Sequence, residues 1–128
     1  MAAHNMCEVA IYARNPDLVA AINQTHRNPQ YHPDLELHQS VTASNDIASV
    51  VNKAELVLLS VPSKSMDAVC EQLASCLAPS AALLSTTKGI REQGFLLMSQ
   101  VISEHLPTHP VGVLSGPNLA HEIARRHL

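Results

Sequence analysis

The 128-residue chain has no tryptophan, a single phenylalanine and four glycines. Those glycines (Gly89, Gly94, Gly112 and Gly116) never fall into a G-x-G-x-x-G pattern. The glycine turn that cradles a pyrophosphate at a helix N-terminus is therefore not encoded here. No apolar run approaches the about 18 residues that span a bilayer, which excludes a transmembrane helix and predicts no membrane partner. Residues 1–5 combine no basic start with an apolar stretch, so no secretory signal is expected. Positive charge is scarce: 8 Lys+Arg stand against 11 Asp+Glu, for a net charge of −3. Only Arg125 and Arg126 are adjacent, which excludes the basic footprint of a nucleic-acid partner.

Metal and disulfide frameworks are missing as well. Cys7, Cys70 and Cys76 make an odd count with no C-x-x-C, which fits reduced cytosolic thiols, with Cys70 in the core. Eight histidines are scattered at 4, 26, 32, 38, 105, 109, 121 and 127, without His-Glu-x-x-His or a Cys/His cluster. No metal site is expected. Internal repeats, low-complexity segments and Pro/Gly/Ser-rich linkers are all absent, so the whole chain reads as one domain. With 46% hydrophobic and 15% charged residues the composition is globular, and a chain this long buries about two-thirds of its unfolded surface.

What is present is an alternation of short apolar runs and amphipathic stretches. Residues 8–13 form a strand candidate, and Asn15-Pro16 then supplies an N-cap and a first-turn proline for a helix through Leu18, Val19 and Ile22. Residues 25–40 are polar, carry Pro29 and Pro33, and read as a long loop. Val41-Thr42-Ala43 is a short strand, and Ser44-Asn45-Asp46 caps a brief helix through Val50-Val51. The run 56–61 is continuously apolar up to Pro62, the pattern of a strand covered on both faces. Met66, Val69, Cys70, Leu73 and Leu77 lie at helical spacing, and residues 81–85 give the next strand. Phe95, Leu97, Met98, Val101 and Ile102 mark a further helix, 111–114 a strand, and 119–126 the first turns of a last helix. Strands alternating with helices predict an α/β fold with a parallel sheet and right-handed crossovers.

In open α/β sheets, ligands bind beyond the carboxyl ends of the strands. Arg14 follows the first strand; Pro62-Ser63-Lys64, Thr86-Thr87-Lys88-Gly89 and Ser115-Gly116-Pro117-Asn118 follow the later ones. Small residues, hydroxyls and two lysines on one sheet edge suit an anionic ligand. In a dinucleotide site, Arg14 would favour NADP over NAD by meeting a 2′-phosphate; otherwise it is a surface arginine.

Several segments together carry a resemblance. They are Val9-Ala10-Ile11-Tyr12-Ala13-Arg14-Asn15-Pro16, Ile22-Asn23 with His26-Arg27-Asn28-Pro29-Gln30-Tyr31, Val61-Pro62-Ser63, Thr87-Lys88-Gly89-Ile90, Leu97-Met98-Ser99, and Leu114-Ser115-Gly116-Pro117-Asn118-Leu119-Ala120. In this order they resemble the cofactor domain of the bacterial NAD(P)-dependent glycerol-3-phosphate dehydrogenases, over about residues 5–124. The Lys-Gly-Ile and Ser-Gly-Pro-x-x-Ala segments are the specific ones.

The resemblance implies an incomplete Rossmann-like doubly wound parallel sheet that lacks its first strand. Residues 1–128 would be a partial NAD(P)-binding domain without the family's helical C-terminal domain. The reaction implied is the reversible reduction of dihydroxyacetone phosphate to sn-glycerol 3-phosphate with NAD(P)H, in the cytoplasm, for glycerophospholipid precursors. Lys88 would touch both the nicotinamide cofactor and a small phosphate substrate. Gly116 and Asn118 would line the substrate pocket, and Ala120 and Arg14 would contact the cofactor. Asn118 stands where the family has Ser or Thr. The family's general-base lysine lies beyond Leu128, so the chain alone is expected to be inactive, and the full-length enzyme is expected to be a homodimer. A sheet without its central strand exposes backbone edges and apolar faces, which predicts marginal stability or aggregation. The reading from another class is a non-catalytic α/β interaction module or pseudoenzyme.

Overall fold

The computed structural model describes residues 7–116 and Ile123. Asn118, Ala120 and, apart from Ile123, the helix expected over 119–126 lie outside the described residues. The described residues divide into two compact units, one of residues 7–50 with Ile123 and one of residues 51–116.

In the first unit, β1 (Val9–Tyr12) pairs in parallel with β4 (Val41–Ser44), Val9 opposite Val41 and Tyr12 opposite Ser44. Between them runs α1 (Pro16–Thr25), begun as its sequence dictates. The Asn15 side chain accepts from the Asp17 amide at 2.9 Å, and Pro16 occupies the first turn, where no amide hydrogen is needed. Ile22 faces the core. Beside it, the Asn23 side chain reads the β4 backbone like another strand: its amide donates to the Ala43 carbonyl at 2.9 Å, and its oxygen accepts from the Ala43 N–H at 2.8 Å. Helix α1 ends at His26, in the left-handed region at φ 50°.

The stretch 25–40 is not a structureless loop. It folds into an antiparallel hairpin of β2 (Arg27–Asn28) and β3 (His32–Glu36) with an irregular register. Its turn is closed by Asn28, whose side-chain oxygen accepts from the Gln30 and Tyr31 amides, both at 3.2 Å. Arg27 and Glu36 pair across it at 3.2 Å. Pro33 is tolerated in a hairpin this short and exposed, where a missing ladder donor matters least. Helix α2 (Ile47–Val51) follows, its first turn capped by Asp46, which accepts from the Ala48 amide at 3.0 Å.

The second unit is built on a three-stranded parallel sheet in the order β5 (Leu56–Leu59), β6 (Ala82–Ser85), β9 (Val111–Val113). A 3-10 turn at Ser63–Ser65 leads into α3 (Met66–Ala74), and α4 (Met98–His105) packs against α3 and β9. Leu59, Leu83, Met66, Cys70, Leu73, Val101 and Ile102 make the core. Burial, and secondarily the charge of Asp67, pushes the Cys70 thiol up to about 11, so it stays protonated as a small core residue.

Two expectations fail here. The run 56–61 predicts burial on both faces, but Leu56 and Leu58 are 51% and 56% exposed. Only the face of Val57 and Leu59 is covered; Leu56 and Leu58 share the other face with Ala82, Leu84 and Gly112, their register partners. The helix marked by Phe95 and Leu97 begins only at Met98. Gly94 and Phe95 both have positive φ, 84° and 52°, which turns the chain so that β7 (Ile90–Arg91) and β8 (Leu96–Leu97) form a second hairpin. The spacing of 95, 98 and 101 mimics a helix, but left-handed backbone cannot continue into one.

Candidate functional site

The carboxyl ends of β5 and β6 lie side by side, because Leu59 is in register with Ser85. Beyond them the chain is stitched together by hydroxyls. The Thr86 amide donates to the Leu59 carbonyl at 3.0 Å, and the Ser60 and Thr86 hydroxyls are 2.6 Å apart. The Thr87 hydroxyl donates to the Val61 carbonyl at 2.8 Å, with the Leu59 carbonyl a second acceptor at 3.2 Å. The threonines thus satisfy the carbonyls left over where the β5 ladder stops.

Lys88 comes next and is exposed. Gly89 follows at φ +114°, a conformation that a side chain would strain, and it faces Ser63, whose hydroxyl would lie at an ordinary contact distance of 3.4 Å from an added Cβ. This contact brings the Lys88 loop against the turn that carries Ser63 and Lys64. On the far side, β9 continues through Leu114, whose amide donates to the Ser85 carbonyl at 2.9 Å, to Ser115 and Gly116. Beneath the loop, Ser85 is fully buried, and its hydroxyl has no hydrogen-bond partner among the described residues.

The sequence-expected site residues are distributed unevenly. Lys88 and Gly116 both follow strands of the second unit's sheet. Arg14 belongs to the first unit, where it follows β1 and precedes the Asn15 cap; it is exposed and in no ion pair among the described residues. Asn118 and Ala120 lie outside the described residues. Two features were not foreseen. One is the Thr87 anchor: its hydroxyl, expected among the groups that meet an anionic ligand, ties the backbone instead. The other is the network around Arg91. Its Nη1 donates to Asp67 and its Nη2 to Glu104, both at 2.7 Å, and His105 Nε2 lies 3.0 Å from the same Asp67 oxygen. The hydrogen bonds from His105 and Arg91 hold the Asp67 carboxyl below its ordinary range. These residues are dispersed over 38 positions, with no motif to join them.

The exposed Lys88 cation at a strand carboxyl end suits an anionic ligand, while the Thr86 and Thr87 hydroxyls are committed to the backbone and to Ser60. The lysine fits the phosphate-bearing parts of a dinucleotide or a small phosphorylated molecule. The pyrophosphate turn does not accompany it, since no G-x-G-x-x-G occurs in the sequence.

Parallel strands joined by helices, with such a cation at a strand carboxyl end, define a Rossmann-type α/β domain. A crystal structure of glycerol-3-phosphate dehydrogenase from Coxiella burnetii has the same fold: it superposes with a TM-score of 0.88 over 96% of this chain and 38% of that one, at 24% identity. The glycerol-3-phosphate dehydrogenase of Plasmodium falciparum is 32% identical, with a TM-score of 0.83 over 92% of this chain and 34% of that one. Among curated sequences, a glycerol-3-phosphate dehydrogenase [NAD(P)+] of Acinetobacter baumannii is 42% identical over 96% of this chain and 34% of its own length. The family model for the NAD-dependent glycerol-3-phosphate dehydrogenase N-terminus matches residues 1–128, and the chain belongs to that family. It spans about a third of the length of these curated relatives.

Proposed function

We propose that the chain is the partial cofactor domain of an oxidoreductase that interconverts dihydroxyacetone phosphate and sn-glycerol 3-phosphate with NAD(P)H, in the cytoplasm, for glycerophospholipid precursors. The observation that carries this reading is Lys88. It is exposed at the carboxyl end of the central strand β6, between the Thr87 anchor and the Gly89–Ser63 contact. When bound, the nicotinamide cofactor supplies the hydride, and the protein supplies position and electrostatics. The Lys88 ammonium stabilises the substrate oxygen whose charge changes as the carbonyl and alcohol interconvert. Gly116, after β9, lets the phosphate substrate approach the backbone, with Asn118 beside it in sequence. Ala120 and Arg14 contact the cofactor, Arg14 at the adenosine ribose phosphate. The full-length enzyme acts as a homodimer in this reading.

The test of the cofactor reading is a fluorescence titration with NADPH and NADH in parallel, on the chain and on Arg14→Ala. NADPH binding tighter than about millimolar and tighter than NADH is expected, with the preference lost in Arg14→Ala, as removal of one charged phosphate contact predicts. Equal affinity for both dinucleotides in the unsubstituted chain would refute the role of Arg14.

A further inference from the structure

Lys88 has a tied residue on one side and a glycine on the other. Thr87 ties the approach to the end of β5, but Gly89 allows many backbone directions and cannot by itself set where the lysine points. Beyond it, β7 pairs only Ile90 and Arg91 with Leu97 and Leu96, and both Ile90 and Leu97 are exposed. Little apolar burial therefore holds this strand. Its anchorage is polar and converges on one side chain.

We propose that Arg91 is a positioning residue for Lys88: its guanidinium, gripped by Asp67 of α3 and Glu104 of α4, fixes the far end of the Thr87–Ile90 turn. The grip uses both terminal nitrogens at 2.7 Å, and Nε donates to the Gln93 carbonyl at 3.2 Å, which also closes the β7–β8 turn. A planar fork is needed to reach carboxylates on two helices at once; an ammonium is a single point charge on a flexible stem. The Arg91 side chain is 24% exposed, and its two carboxylate partners are more exposed, so the grip rests on its two-pronged geometry and not on burial. His105 braces the Asp67 oxygen from α4. Arg91 thus connects the loop carrying the lysine to the two helices packed on each other below it. The proposal rests on the reading of Lys88 given above.

Limited trypsin digestion of the full chain reads the position of Lys88 directly, with cleavage after Lys64 as an internal reference on the same sheet edge. Products are quantified by mass spectrometry for the unsubstituted chain, Glu104→Gln, Asp67→Asn and Arg91→Lys. Each substitution is expected to raise cleavage after Lys88 about fivefold relative to Lys64, because cleavage follows the population of the open loop. Glu104→Gln removes the charge of one arm of the grip while keeping an acceptor, at a half-exposed position, and keeps the test valid if the other variants fold poorly. Unchanged cleavage at Lys88, or equal increases at Lys64 and Lys88, would overturn the proposal and leave Arg91 as a general brace between helices. NADPH affinity of Lys88→Met separates the two ideas. If that variant binds like the unsubstituted chain, the role of Lys88 fails, while the cleavage ratio still reports on Arg91.

Discussion

The Thr87 hydroxyl donates to the Val61 carbonyl at 2.8 Å, across 26 residues of sequence and from one strand end to the next. This bond closes the sheet edge at the point where the candidate site begins. Thr87→Val keeps the shape and removes the donor, leaving two part-buried carbonyls without it. A loss of about 1–2 kcal/mol in urea unfolding is expected, with most of it recovered in Thr87→Ser. Equal stability of the valine variant and the unsubstituted chain would show that the hydroxyl contributes nothing.

Ser85 presents the opposite case. Its buried hydroxyl has no partner among the described residues, and a buried hydroxyl without a partner costs free energy. Ser85→Ala is therefore expected to stabilise the chain by about 1 kcal/mol, read as a higher urea midpoint at unchanged slope. Destabilisation by the same substitution would mean that the hydroxyl is satisfied.

Asp67 makes the fold sensitive to acid. Hydrogen bonds from His105 and Arg91 lower its pKa below the ordinary 3.8, so the unfolded chain takes up this proton first as pH falls. Its contribution is fully present above 3.8 and disappears as pH falls through the lower, folded value. Unfolding free energy measured between about pH 5 and pH 2 should decline with a shallower slope in Asp67→Asn than in the unsubstituted chain. Identical slopes would contradict the assignment.

The open face of β5 has a colloidal consequence. Leu56 and Leu58 stand exposed on an edge strand, the arrangement that favours edge-to-edge association. Apparent mass from light scattering should rise with concentration, and Leu58→Lys should suppress that rise. A chain that is monomeric at all concentrations would show that this face is harmless.

Much of this architecture is legible in the sequence because it depends on local chemistry. Asn15-Pro16 starts α1 where capping rules place it, and the apolar runs at 56–59 and 82–85 are strands. Lys88 stands out because an α/β sheet presents ligands at strand carboxyl ends. The hairpin at 27–36 is not legible, since its two-residue partner strand is too short for any period and its stability comes from the Asn28 turn and the Arg27–Glu36 pair. Phe95 misleads because its spacing suits a helix while its φ of 52° does not. The Asn23–Ala43 and Arg91–Asp67 contacts are tertiary, and no local pattern announces them. Burial on both faces of β5 follows from composition only if something covers the second face.

Titration of Lys88→Met with NADPH, with thermal melting as a control for folding, reads the role of Lys88 without intermediate steps. An unchanged melting temperature is expected, with an affinity at least about tenfold weaker than that of the unsubstituted chain, the loss expected for one charged contact. NADPH binding of equal strength in the two proteins would contradict that role.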